Sequence, residues 1–485
     1  MFAQPGPRAS VSVVDVTVVG GGIIGLATAL ALLKHPARPR VALIEAEAST
    51  SGGDAPFTPS LLPYGGRATG AGQGYLWLAH RDPASPLWGA AVASKALWAE
   101  WVGEEEGGAW MAGAEHRATG SLLLAPSTGG AGACAARAAR LAAVGVACTP
   151  LSSAELAALE PALAGFPPGG GALLTHGDAQ IDGRGAARAL LDACRRVGRD
   201  GGRWVERVGA PVTGIKAGSA STSTSVTLAD GSCLVAERGV VIAAGAWSGR
   251  LVAAALARTD PAAAAAWAAA LAPRRGHLLV LRPPPAMPAL RHGMMEAGYT
   301  RHYSGGGGGE EPAEGAVSLA GLDLAAADEE WGVVFTAAPD AAGTSLLIGS
   351  SREDADEFTG SAPCPAAVRA VLVRAAAFLP GLREGGWLEA AVAATSTPGG
   401  DALRVGLRPA MVGVRPHAPP PPPAIGCVAP GLFIAAGHEG SGLTLAPATG
   451  RLVAGLVMEG EGGGVDAGWA REVDPRRVGG EARFK

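Results

Sequence analysis

The chain has 485 residues and a 48% hydrophobic content, enough to bury the cores of two or three domains at roughly 150 residues each, which excludes a disordered chain in spite of 74 glycines and 37 prolines. Its net charge of −4 supplies no broad cationic field, so neither nucleic acid nor anionic lipid is expected as a partner. Six cysteines (Cys134, Cys148, Cys194, Cys233, Cys364, Cys427) are too widely spaced for a metal-ligand or C-x-x-C pair and read as buried thiols of a reducing compartment.

The first ten residues hold one Arg and no apolar signal core, and no strongly apolar, charge-free run reaches the roughly 18 residues of a membrane helix. No secretory signal and no membrane span are expected. The first clear element is the β-branched run over 15–19, apolar without alternation, as in a parallel strand buried on both faces. A turn with Gly20, Gly22 and Gly25 follows, then a helix over 23–34 that is apolar nearly all round and stopped by His35-Pro36, then a short strand over 41–45. Together these form a βαβ unit with the dinucleotide fingerprint. Gly20 allows the tight turn, Gly22 lets a pyrophosphate reach the backbone, and Gly25 lets helix and strand pack closely. Ile23 and Ile24 offer helix N-terminal N–H groups, and Glu45 is placed to accept ribose hydroxyls.

Further along, helices are expected over 135–144 and 185–197 and strands over 239–243 and 276–281. Gly-, Ser- or Pro-rich stretches at 49–66, 218–224, 304–316 and 416–423 read as surface inserts. Near the C-terminus a strand over 432–435 leads through a glycine-rich turn into a helix, with Pro447 expected in its first turn, where a missing N–H is harmless. A second helix N-terminus reached through glycines, far along the chain from the first, suits a cofactor with two ends. Its N–H groups would favour an anionic reduced flavin ring.

The segments 18–25 with Glu45, 69–77, 178–182, 241–249, 273–277, 295–299, 348–353, 405–409 and 437–450 together resemble the FAD-dependent D-amino-acid oxidase (DAO) family, in the branch of glycine oxidase and sarcosine oxidase and in particular FAD-dependent oxidoreductases of plant type. The resemblance implies an α/β fold: a Rossmann-like FAD-binding domain over 11–90, 152–270 and 402–470, and a second α+β substrate domain over 91–151 and 271–401, so that both are discontinuous. Residues 1–10 and 471–485 are expected as flexible tails. It implies noncovalent FAD, held by Thr69, Gly70, Gly72, Gln73 and Gly74 along the flavin and by the backbone of Val212 at the adenine. Ala244, Gly245 and Trp247 would close over the cofactor, with Gly437, His438, Glu439, Gly440, Gly442, Leu443 and Thr444 at the pyrimidine end.

Arg408 matches the family's arginine for the substrate carboxylate, next to the flavin, which a planar guanidinium would clamp in bidentate fashion. Arg352 is a second candidate, or else pairs with Glu353 or Asp354. Tyr299 and His302 are candidates for the substrate side, the tyrosine alternatively a half-buried strand residue, and His277 reads as structural or FAD-adjacent. The implied reaction is oxidation of the CH–NH bond of a small amino acid or related amine, with hydride passing to flavin N5, the imine hydrolysed, and oxygen or another electron acceptor closing the cycle. A 2-hydroxy-acid dehydrogenase with His277, His302 or His438 as base, a non-catalytic FAD-binding assembly factor, and an NAD-dependent dehydrogenase are the rival readings, the last disfavoured because it leaves 437–450 without a role. The chain departs from the family pattern after Arg408-Pro409 and at Glu439-Gly440, where glycine oxidase has an arginine. A cytoplasmic location is expected, with a plastid as the alternative.

Overall fold

The computed structural model describes residues 10–48, 68–103, 110–219, 221–302, 331–354, 364–386, 388, 411–417, 423–460 and 468–476. The inserts at 49–66 and 304–316 and the candidate Arg408 lie outside these residues.

Five parallel strands form the first layer, in the order Leu432–Ala436, Cys233–Ile242, Val11–Val19, Val41–Glu45, Trp204–Val208. An antiparallel strand, Ala424–Ala429, extends one edge, and the hairpin Val212–Lys216 with Thr224–Leu228 pairs along the first half of Cys233–Ile242. The period of two along a strand puts Val16 and Val18 toward the helix Ile23–Lys34 and Val19 toward Ser248–Leu256 and Pro261–Ala270, and a register shift between Val14 and Val16 turns Val14 to the second of these cores as well. Ile23–Lys34 lies between Gly183–Arg199 and Gly442–Glu459, which explains why it is apolar on every side.

Pro447 sits inside the helix Gly442–Glu459, past the first turn where it was expected. Its missing N–H leaves the Leu443 carbonyl without the usual intrahelical donor, and the indole Nε1–H of Trp98 takes that carbonyl at 3.0 Å. The next N–H, of Ala448, donates to Ser94 Oγ at 3.1 Å. Both partners belong to Trp88–Gly103, so this helix packs in the first layer although 91–151 was expected in the second domain.

The second sheet runs Cys148–Ser152, Gly171–Thr175, Ser121–Ala125, Gly293–Glu296, Thr336–Pro339, Leu346–Gly349, Ala272–Leu281, Met411–His417. It is antiparallel except between Ser121–Ala125 and Gly293–Glu296. Leu122 and Leu124 point to the helix Pro365–Phe378, whereas Leu123 points to Gly130–Ala142. Gly171–Thr175 and Met411–His417 fall in stretches expected with the cofactor domain, yet they pair in this sheet, because strand partners far apart in the chain complete its faces. Residues 471–476, expected as tail, are also anchored: Val473 is buried and its carbonyl accepts from Ile425 N–H at 2.8 Å.

Asp178 joins the layers. Fully buried, it accepts from Leu78 N–H at 2.8 Å, Ala79 N–H at 3.1 Å, Ser121 Oγ at 2.8 Å and Lys95 Nζ at 2.7 Å. This fixes the path of the segment after the short strand Tyr75–Leu76, which borders the site. No helix among the described residues is long and apolar enough to cross a membrane.

Candidate functional site

A cavity of about 620 Å³ opens at the carboxyl ends of the parallel strands, where Val19, Ile44, Ala243 and Ala436 lead out of the sheet. An open parallel sheet binds ligands there, outside the strand ends, where connections leave in opposite directions. Glu45 with Ala210, Pro211 and Val212 forms one end, Gly20, Gly22, Ile23 and Ile24 the middle, and Gly437, His438, Glu439, Gly440, Gly442 and Leu443 the other.

The local geometry fits a dinucleotide. Gly20 has φ +114°, in the range that favours glycine. A Cβ on Gly25 would lie 1.9 Å from the Gly20 carbonyl oxygen, so Gly25 serves packing and does not line the cavity. A Cβ on Gly22 would meet nothing nearer than Thr69 Oγ1 at 3.5 Å, so its bare backbone faces open space. The helix behind it has no acidic residue in its first turn, and neither has Gly442–Glu459, leaving both N-termini free of competing carboxylates from their own first turns. Glu45 Oε2 accepts from Gly21 N–H at 2.7 Å and Oε1 from Glu47 N–H at 2.9 Å. Burial raises its pKa, and the hydrogen bonds from Glu47 and Gly21 partly counter this.

The other expected cofactor residues separate by what their side chains do. Thr69 lines the cavity and its Oγ1 accepts from Ile23 N–H at 3.1 Å. Gly72, Gln73 and Gly74 line it as well, but the Gln73 amide turns away, donating to Leu347 O at 3.0 Å and accepting from Thr336 Oγ1 at 2.6 Å, so it ties the loop to the second sheet. Ala244, Gly245 and Trp247 lie along the wall. Gly70 and Thr444 do not line it; Thr444 Oγ1 donates to Tyr75 O at 2.8 Å. His438 is buried with Nε2 3.0 Å from Thr449 Oγ1, and burial lowers its pKa to about 3, so the ring is neutral near pH 7.

On the second-sheet side, Tyr299 lines the cavity from a short helical turn, Ala297–His302, that follows a strand, and is not itself a strand residue. Arg352 Nη2 donates to the Tyr299 hydroxyl at 3.1 Å, with its guanidinium carbon 4.8 Å from the centre of the Tyr299 ring. The same nitrogen lies 3.4 Å from Glu439 Oε2, and Arg274 Nη1 3.2 Å from Glu439 Oε1. Arg352 is therefore paired across the two layers, with Glu439. His302 belongs to the same turn, but its side chain is outside the described residues, as is all of Arg408. His277 is engaged in structure: Nδ1 is 2.7 Å from Ser351 Oγ, and Nε2 accepts from Cys364 N–H at 3.0 Å, at the start of Pro365–Phe378. That acceptor role puts the ring proton on Nδ1.

Some site residues were not anticipated. Arg250 and Leu251 reach the cavity one turn past Trp247, and helical spacing from that residue was the available signal. His80 sits edge-on to Tyr299, ring centres 6.3 Å apart. Burial, then the charges of Arg81, Arg137 and Arg352, hold its pKa well below the ordinary imidazole value. Nothing local in the sequence marks it.

A parallel sheet whose strand ends open on a long cavity, with glycine turns and helix N-termini at two places along it and Tyr299, from the turn after a second-sheet strand, in its wall, defines a dinucleotide-dependent oxidoreductase architecture. The chain belongs to the DAO family of FAD-dependent oxidoreductases, whose family model matches residues 15–456. Its fold is similar to that of glycine oxidase from Geobacillus kaustophilus, with 24% identity, 92% of this chain and 95% of that one covered and a TM-score of 0.63. It is likewise similar to L-proline dehydrogenase from P. horikoshii (18% identity, 97% and 98% covered, TM-score 0.65) and to L-alpha-glycerophosphate oxidase from Mycoplasma pneumoniae with FAD bound (17% identity, 92% and 95% covered, TM-score 0.63). No curated protein sequence matches the chain. FAD is the cofactor of this family, and the open Gly22 backbone, the Glu45 carboxylate and the two helix N-termini suit it.

Proposed function

We propose that the protein oxidises the CH–NH bond of a small amino acid or related amine that carries a carboxylate. The observation that supports this reading is the Arg352–Tyr299 pair, 3.1 Å apart, in which the tyrosine lines the cavity and the arginine behind it reaches Glu439 of the 437–443 turn. An always-charged guanidinium beside a phenol hydroxyl can hold a carboxylate by directed, charge-assisted hydrogen bonds, fixing the Cα–H that must face the cofactor. FAD, when bound, supplies the acceptor for the hydride. Tyr299, only 6% exposed, is held in place by the residues around it. Loss of hydride from Cα of a neutral amine leaves an iminium ion, which water hydrolyses to the carbonyl product with release of the nitrogen as ammonium, so no protein base is needed to take a proton from nitrogen first.

An alcohol substrate does need such a base, and this weighs against the hydroxy-acid reading. Both ring nitrogens of His277 are occupied, and burial, with Nε2 on Thr449, lowers the His438 pKa to about 3 and makes it a weak base; the His302 side chain lies outside the described residues. Arg408 is an alternative clamp outside the described residues. The experiment is anaerobic addition of amino acids, N-substituted amino acids and 2-hydroxy acids to the purified flavoprotein while the visible flavin band is followed. Bleaching by the amino compounds is expected. Bleaching by hydroxy acids alone would replace this reading, and no bleaching across the panel would favour a binding role.

A further inference from the structure

Glu439, which lines the cavity, stands between two arginines. Its Oε2 is 3.4 Å from Arg352 Nη2 and its Oε1 3.2 Å from Arg274 Nη1. The arginines come from the second sheet, one from Ala272–Leu281 and the other just beyond Leu346–Gly349. The carboxylate comes from the glycine turn after Leu432–Ala436, so it bridges the layers at the cavity. The side chains of Arg352, Arg274 and Glu439 are 6%, 20% and 18% exposed, unlike an ordinary surface ion pair. Glu439 also holds φ +51°, a left-handed conformation disfavoured for any residue with a Cβ, while Gly440 N–H donates to its Oε2 at 2.5 Å.

We propose that Glu439 is the resident counter-ion of the Arg352 clamp, displaced from Arg352 by the substrate carboxylate and retained by Arg274. The inference rests on the reading of Arg352 as the carboxylate site. A carboxylate at 3.4 Å is long for a charge-assisted bond, which is ordinarily about 2.7–2.9 Å, so its release from Arg352 costs little. Retention on Arg274 keeps the exchange from leaving a half-buried charge without compensation. The side chains of Arg352, Arg274 and Glu439 together carry one net positive charge, the opposite of one incoming carboxylate. A substrate with a second carboxylate near this wall would meet the Glu439 charge. Glu439 and Arg274 are thus positioning residues that select a monocarboxylate, with repulsion as part of the selection.

Acetate and malonate serve as probes, their binding to the FAD-loaded protein read at equilibrium from perturbation of the flavin spectrum and from the rise in Tm, with no turnover. Glu439→Gln should bind acetate about tenfold tighter, and malonate tighter by a larger factor. Arg274→Gln should weaken acetate binding about tenfold in the presence of Glu439 and by less than about twofold in the Glu439→Gln background. Equal losses in the two backgrounds, or a Glu439→Gln protein that binds acetate no tighter, would overturn the proposal. Should Glu439→Gln fail to retain FAD, Arg274→Lys decides: it should keep acetate affinity within about twofold where Arg274→Gln loses it, and equal loss in both rejects the role. Arg352→Gln separates the two levels. If it leaves acetate binding intact, the clamp itself is wrong; if it abolishes binding while Glu439→Gln has no effect, the clamp stands and only the counter-ion role falls.

Discussion

Thr69 Oγ1 accepts a hydrogen bond from the backbone N–H of Ile23 at 3.1 Å, across 46 positions of chain. Ile23 N–H is one of the first-turn donors without an intrahelical acceptor, Gly22 at the N-cap position offers the helix end no side chain, and Thr69 supplies an acceptor from another segment. The Thr69 loop is in this way fastened to the helix whose N-terminus opens on the same cavity.

Thr69→Val keeps the shape and removes the acceptor. Loss of a cap costs about 1 kcal/mol, and the loop freed from the helix should also hold FAD less well. Thermal unfolding of the apo and FAD-loaded proteins measures both effects: Tm should fall in each, and by more in the loaded form. Equal shifts would mean that the bond matters to folding alone.

Gly22 and Gly25 belong to one motif and should fail differently when replaced. A Cβ on Gly25 would collide with the Gly20 carbonyl at 1.9 Å, so Gly25→Ala should cost about 1–3 kcal/mol of stability before any ligand is added. A Cβ on Gly22 has room, with Thr69 Oγ1 the nearest neighbour at 3.5 Å, so Gly22→Ala should fold with nearly unchanged apo Tm yet lose FAD affinity by about tenfold or more. Titration of the apo proteins with FAD checks this, and a Gly22→Ala protein with full affinity would place the pyrophosphate elsewhere.

The glycine pattern and Glu45 were readable because a strand, a tight turn and a helix are neighbours in sequence and each glycine answers a backbone demand within its own motif. Thr69 was legible as a loop residue, and it does line the cavity, but its bond to Ile23 was not legible. Nor was the turn of Gln73 toward Leu347 and Thr336, since those partners come from the other sheet. Pro447 was placed a turn too early for the same reason: a proline inside a helix is tolerable once Trp98 takes the stranded carbonyl, and Trp98 is 345 positions away. The domain boundaries shifted where sheet partners such as Gly171–Thr175 and Met411–His417 pair with strands distant in sequence. Arg274 went unnoticed at the site because only the tertiary fold brings it to Glu439.

His438 gives the apo protein a defined acid sensitivity. Its pKa falls from 6.5 to about 3 on burial, so the unfolded chain binds this proton more tightly than the folded one. The contribution of the neutral ring is complete above pH 6.5 and is lost as pH falls from there toward 3. His438→Gln, which does not titrate and can still reach Thr449 by an amide, should flatten the fall of Tm over that range. Chemical denaturation at a series of pH values tests it, and an unchanged slope would mean that other groups set the acid limb.

Arg352 and Tyr299 should separate in kinetics if they hold the substrate carboxylate together. Arg352→Lys retains a cation but loses the planar fork, and Arg352→Gln loses the charge as well, so kcat/KM should fall by about tenfold in the first and about a hundredfold or more in the second. Tyr299→Phe keeps the ring beneath the guanidinium and removes only the hydroxyl, at a cost of about tenfold. If Tyr299 contributes chiefly by directing the guanidinium, its deletion should cost much less once Arg352 is already Gln, so the double variant should be close to Arg352→Gln alone. An added anionic substrate analogue should protect the wild-type protein against heat and leave Arg352→Gln unprotected. Full protection of that variant would move the clamp to another cation, with Arg408 the first to examine.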